Sequence, residues 1–221
     1  MSEIIGAILG AVAVVCIPLF AWFSQRMTCA IADRVGIRQQ SLYYHFAGKD
    51  EILAELLGGS VRPSIDFVES IETRVPGEIT PAGALFALAS IDARTLRRTP
   101  HNIGTLYLLP EIQDARYDAF RNQRVQLRAI YGRLGVAAAH SDVTAALGEE
   151  RIGVILIQLA EVVIQLRRDD ESAADDEGDA TIAASCLRVL GLSTAEIAEA
   201  RKQADAILAT LHDHQHSSQP A

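Results

Sequence analysis

The chain has 221 residues, enough for one well-filled core or for a small domain joined to a larger one. Apolar residues make up 49% of it, alternating β-branched runs are scarce beyond the N-terminus, and alanine, leucine, arginine, glutamine and glutamate dominate, which argues against a sheet-based architecture and predicts an almost all-helical chain. A net charge of −8 excludes a protein that holds nucleic acid by bulk positive charge, yet the charge is uneven: Arg26, Arg34, Arg38 and Lys49 against Asp33 leave residues 26–49 at +3, while residues 63–221 stand at −8. A small basic head on an acidic body suits local phosphate contact with little non-specific attraction. The cysteines, Cys16, Cys29 and Cys186, are odd in number and far apart and form no CxxC or zinc pattern. Reduced thiols in a cytoplasmic protein are expected, with no metal and no cofactor.

Ile4 to Phe23 is a run of twenty residues without a charge, interrupted by Pro18 and closed by Trp22 and Phe23. Its length and apolarity meet the criterion for a transmembrane helix. Gly6 and Gly10 form a GxxxG that carries little weight in so alanine- and glycine-rich a stretch. The lack of a basic n-region argues against a cleaved signal peptide.

Ile31 to Phe46 reads as a helix, a glycine turn and a second short helix. Ile31, Ala32 and Val35 form one apolar face. Gly36 suits the left-handed position that ends a helix, and Ile37 plugs the corner. Leu42 and Phe46, four apart, pack inward together, which leaves Gln39, Gln40, Tyr43 and Tyr44 as an outward polar and aromatic face. Glutamine can bond adenine bidentately and tyrosine hydroxyls can reach phosphates, so this face suits the major groove of DNA.

At these residues, and on through Ala47-Gly48-Lys49-Asp50-Glu51-Ile52-Leu53, the chain resembles the tetracycline-repressor (TetR/AcrR) family of transcriptional regulators. The resemblance implies an all-α fold: an N-terminal helix-turn-helix DNA-binding domain followed by a larger helical ligand-binding and dimerisation domain. The expected division is an atypical apolar segment over 1–26, the helix-turn-helix and linker helix over 27–62, the ligand-binding and dimerisation domain over 63–211 and a tail over 212–221. Arg38, Gln39, Gln40 and Tyr43 are expected to face the groove, and Thr28, Ser41, Tyr44, His45 and Lys49 to contact phosphate. Lys49 also opens a helix, where backbone N–H groups favour an anion. The family's charged first helix and its glycine turn are not matched before Thr28. Three readings of residues 1–26 therefore compete: a wrong start or frameshift upstream, a first helix that folds despite being apolar all round, or a membrane anchor.

Asp50 to about Gly58 continues as a helix with Ile52, Leu53, Leu56 and Leu57 inward. Gly58-Gly59 and Pro63 bend or interrupt it. Arg74 to Pro81 is a loop in which Thr80 caps the next helix and Pro81 takes its first position, the helix running to about Arg98. A short helix over His101–Leu109 and a long one over about Ala115–Leu134 follow. Arg151 to Leu166 is apolar nearly all round, with Gln158, Glu161 and Gln165 as a narrow polar stripe, so it must be covered on more than one side. An acidic, solvated loop over Asp169–Asp179 precedes a second apolar helix, Thr181–Leu190. Ser193 starts a capped final helix to about Leu211. His212, His214 and His216 are expected in a frayed tail rather than at a metal.

By the resemblance, the last apolar helices pair with those of a second copy, which makes a homodimer with Ile152, Ile155, Leu159, Val163, Leu166, Leu187 and Leu190 at the interface. The near-continuous apolarity of 151–166 supports it independently, and two heads must reach half-sites about one turn apart. Phe67, Phe86, Leu106, Tyr107, Phe120 and Leu159 are candidate lining for a small-molecule pocket, and equally candidate core. No Gly-rich phosphate loop, GxSxG or HExxH occurs, so no enzyme is expected. Arg94, Arg97, Arg98 and His101 could hold an anion, or simply complement the dipole at a helix C-terminus. The expected function is a ligand-released repressor, a cytoplasmic homodimer on a palindromic double-stranded operator. The alternative is a membrane-anchored helical regulator or interaction protein that uses Ile4–Phe23 as its span.

Overall fold

The computed structural model describes residues 46, 48–74, 79–99, 104, 106–107, 110–169 and 176–217. The apolar run Ile4–Phe23 and the helix-turn-helix run up to His45 lie outside them. Seven α-helices and no strand occur among the described residues: α1 (Lys49–Gly59), α2 (Arg62–Arg74), α3 (Pro81–Arg98), α4 (Asp118–Ala138), α5 (Ser141–Asp169), α6 (Asp176–Val189) and α7 (Thr194–Ser217). The chain divides into two compact units, residues 1–60 with 98–122, and residues 61–97 with 123–221. The fold is all-α, as expected from composition and resemblance. None of its described helices is long and apolar enough to cross a membrane.

In the first unit, α1 buries Ile52, Leu53, Leu56 and Leu57, and Phe46 just before it is also buried. Asp50 and Glu51 lie in its first turn, where the helix dipole favours carboxylates. The helix stops after Gly59: the Ser60 N–H bonds the Leu57 carbonyl at 3.2 Å, and Ser60 Oγ donates to the same oxygen at 2.6 Å. Most of the expected helix over His101–Leu109 lies outside the described residues, although Gly104, Leu106 and Tyr107 have 3-10 backbone. The long helix expected from Ala115 starts at Asp118 instead. Two 3-10 turns, Pro110–Gln113 and Ala115–Tyr117, come first. Asp114 accounts for the delay, because its carboxylate accepts the Arg116 N–H at 3.0 Å and caps a separate short turn.

In the second unit, α2 buries Ser64, Ile65, Phe67, Val68 and Ile71 and exposes Asp66, Glu69 and Glu72, an amphipathic stripe. Thr80 caps α3 as expected, accepting the Gly83 N–H at 3.1 Å, with Pro81 at the first helical position. Gln203 of α7 holds that cap, since Thr80 Oγ1 donates to its Oε1 at 2.7 Å. Helix α5 begins at Ser141, ten residues before the apolar run marks it, and breaks at Gly148. Helices α4 and α5 cross at contact distance. A Cβ on Gly153 would lie 2.5 Å from the Arg128 carbonyl oxygen and 3.1 Å from the Gly132 nitrogen, so only glycine fits there.

Helix α6 begins at Asp176, within the stretch expected to be a solvated loop, and Asp179 is only 1% exposed. The loop reading is corrected there: charge run alone suggested solvent, but Asp179 is drawn inside by arginines of α3. At the end of α6, the Leu192 N–H reaches the Leu187 carbonyl at 3.3 Å and the Gly191 N–H that of Arg188 at 3.0 Å. Gly191 supplies the positive φ (92°) that this closure needs. Ser193 and Glu196 then cap α7 reciprocally, at 3.3 Å (Glu196 N–H to Ser193 Oγ) and 2.8 Å (Ser193 N–H to Glu196 Oε2). Helix α7 runs on to Ser217, past the expected end at Leu211.

Candidate functional site

Eight of the nine expected DNA contacts, Thr28, Arg38, Gln39, Gln40, Ser41, Tyr43, Tyr44 and His45, lie outside the described residues. Lys49 opens α1, following Gly48, which offers no side-chain cap. The first turn of α1 is nevertheless anchored within its unit. Tyr117 donates to Asp50 Oδ1 at 3.1 Å, and Arg116 forms an ion pair with Asp50 while bonding Asp114 at 2.9 Å. The Arg116 hydrogen bonds hold the Asp114 carboxyl down to about 2. Burial, followed by the Asp50 charge, pushes the Tyr117 hydroxyl up to about 12, so it stays a donor at any physiological pH. Sequence reasoning missed this clamp, because Asp50 and Arg116 are 66 positions apart.

The six candidate pocket residues divide between the units. Leu106, Tyr107 and Phe120 are buried in the first, where the Tyr107 and Phe120 rings sit 5.1 Å apart at 46°. Ser60 Oγ gives its proton to the Leu57 carbonyl, so the Tyr107 hydroxyl donates to Ser60 Oγ, at 2.5 Å. In the second unit Phe67 and Phe86 are buried and Leu159 is half-buried. Phe86 lines two neighbouring clefts, of about 190 and 330 Å³, between α3, α6 and α7.

The seven expected interface residues also separate. Ile152, Val163, Leu187 and Leu190 are buried in the chain's own core, and Leu159 is half-buried. Ile155 and Leu166 are exposed. With Val154 and Val162 they form a stripe on α5 in which each side chain is 37 to 41% exposed, flanked by exposed Gln158 and Gln165. Val189 of α6 is exposed as well. Apolar residues on every side of α5 thus separate into an inner set that fills the chain's own core and an outer set that does not.

A buried polar network crosses the second unit. Asp92 of α3 accepts from Ser64 at 3.1 Å and from Tyr131 at 3.0 Å. Its carboxyl is pushed up to about 7 by burial first and the Glu161 charge second, against those hydrogen bonds. Glu161, itself raised by burial, is held by Arg124 and by Gln158 at 2.8 Å. Burial and the Asp92 charge push the Cys186 thiol up to about 12, which fits an inert core thiol. Of the expected anion cluster, Arg97 is committed to Asp179 through bonds of 2.8 and 3.1 Å, and His101 lies outside the described residues. Among the described residues no group of three His, Cys, Asp or Glu side chains could hold a metal ion.

The described helices, with an apolar outer stripe on the longest of them, α5, are those of an all-α protein. Residues 27–56 match the sequence profile of the bacterial regulatory proteins of the tetR family. The chain is similar to AmtR of Mycobacterium smegmatis, a solved structure: 35% identity, 91% of this chain and 92% of that one covered, TM-score 0.75. The chain belongs to the TetR family and is a DNA-binding transcriptional regulator with a helix-turn-helix domain. No curated protein matches it.

Proposed function

We propose that the chain is a ligand-released repressor, acting in the cytoplasm as a homodimer on a palindromic operator. The observation that carries this reading is the match of residues 27–56 to the family's DNA-binding region, within a similarity that covers 91% of the chain. Arg38, Gln39, Gln40 and Tyr43 face the major groove, and Thr28, Ser41, Tyr44, His45 and Lys49 hold the phosphates. The exposed apolar stripe on α5 supports the dimer, because isolated α-helical surfaces rarely leave four neighbouring aliphatic side chains in water. A small molecule bound among the helices between about residues 63 and 168 changes the spacing of the two heads and so weakens binding to half-sites about one turn apart. The candidate contacts are, in the second unit, Phe67, Phe86 and Leu159 and, separately, in the first, Leu106, Tyr107 and Phe120. The reading assigns the chain no catalytic step.

DNase footprinting on the DNA upstream of the gene tests it. Gln39→Ala with Tyr43→Ala is expected to abolish protection while leaving the dimer intact. Protection undiminished by the pair overturns the assignment of this face to DNA.

A further inference from the structure

The smaller of the two clefts, about 190 Å³, has a construction that the fold alone does not call for. Phe86, Ser90 and Arg94 of α3 line it, with Ala180 of α6 and Ala204 and Leu208 of α7 opposite. Two of these residues carry buried polar atoms with no hydrogen-bond partner, Ser90 Oγ and Arg94 Nε. Ser90 is 6% exposed. Arg94 Nε has Asp179 at 3.7 Å, beyond hydrogen-bond reach, and Asp179 is already held at 2.8 Å by Arg97. An unpaired buried hydroxyl and guanidinium N–H are costly, and each is relieved by an acceptor.

Beside the cleft, Asp179 lies 3.7 Å from Arg94 and 2.8 Å from Arg97. Glu177, Asp205 and Arg201 also line the cleft, and Arg201 bonds Glu177 at 3.2 and 3.3 Å and feels the Asp205 charge. Arg94 attracts one negative charge, and Glu177 and Asp205 repel a second. Phe86, Ala180, Ala204 and Leu208 supply the apolar part of the lining. We propose that this cleft between α3, α6 and α7 binds a small organic monocarboxylate. The carboxylate meets the Arg94 guanidinium and the Ser90 hydroxyl, the tail lies on Phe86 and Leu208, and Glu177 and Asp205 select against dianions. The site is independent of the DNA-reading role, since binding is measured on the protein alone.

Benzoate serves as the probe, with benzamide as its neutral analogue and phthalate as its dianion, titrated calorimetrically into the full chain. Benzoate is expected to bind saturably, with benzamide and phthalate each weaker by about tenfold or more. Arg94→Gln is expected to weaken benzoate by about tenfold. Since Arg94→Gln also disturbs Asp179, Ser90→Ala is the second variant. It removes an unpaired group, so its melting temperature should not fall, yet benzoate affinity should drop severalfold. Benzamide binding as tightly as benzoate, unchanged benzoate affinity in both folded variants, or no saturable benzoate binding each overturns the proposal. Failure of the operator footprint alone does not touch it.

Discussion

Asp92 shows how one buried side chain sets a property of the whole second unit. Its ordinary value is 3.8, and in the fold it is pushed up to about 7. Between those values the folded chain keeps a proton that the unfolded chain releases. Stability is therefore full at acid pH and falls as pH rises from about 4 through about 7, by an amount on the order of a few kcal/mol. Asp92→Asn keeps the shape and removes the ionisation; the Ser64 or Tyr131 hydroxyl turns to accept from the amide. Urea unfolding at about pH 4 and pH 8 should show the variant near the native chain at the lower pH and more stable than it by about 1 kcal/mol or more at the higher. Parallel pH curves for the two proteins would show that Asp92 is ionised in the fold at both. Glu161 is shifted in the same direction and leaves a residual slope. Nothing in the local sequence around Asp92 marks it: it sits in an alanine-rich helix, and its partners come from α2, α4 and α5.

At the scale of elements, the helices that were legible are those whose ends carry side-chain signals. Thr80-Pro81 and Ser193 with Glu196 fix two N-termini through bonds inside four residues, so sequence spacing is enough. The start of α4 and the beginning of α6 were misjudged because each depends on a contact beyond the local chain or on a competing short turn: Asp114 on Arg116, and Asp179 on Arg97. The α4–α5 crossing was likewise hidden. Gly153 lies in an apolar run that reads as a seamless helix, yet it is where Arg128 and Gly132 approach. Gly153→Ala places a methyl 2.5 Å from a carbonyl oxygen, so the two helices must separate. A loss on the order of 2 kcal/mol is expected despite alanine's better helix propensity. Thermal unfolding followed by circular dichroism checks this, and a gain in melting temperature would mean the crossing is looser than described.

For the whole molecule, the outer stripe of α5 is the feature that a single chain leaves unsatisfied. Val154, Ile155, Val162 and Leu166 lie at helical spacing on one face and face away from the core that Ile152, Leu156, Val163 and Ile164 fill. Val154→Glu with Val162→Glu puts two carboxylates into the proposed subunit interface without touching that core. Light scattering should then report the mass of one chain instead of two, with helix content unchanged, and operator protection should be lost with it. A variant that stays dimeric would move the interface to another surface. The periodicity of 151–166 calls for cover on both sides; the resemblance places Ile152, Val163, Leu187 and Leu190 at the partner, and within the chain these four are buried.

By itself the sequence determined the helical class, the family through the run from Ile31 to Leu53, and the helix ends written in capping residues, because each of these rests on residues within a few positions of one another. Tertiary structure alone decided which apolar face turns inward, where Asp92, Asp179 and Gly153 find their neighbours, and how Ser90 and Arg94 come to line one cleft with α6 and α7. Those outcomes depend on pairs of residues tens of positions apart, and an all-apolar helix has no pattern of its own to say which neighbour each side will meet.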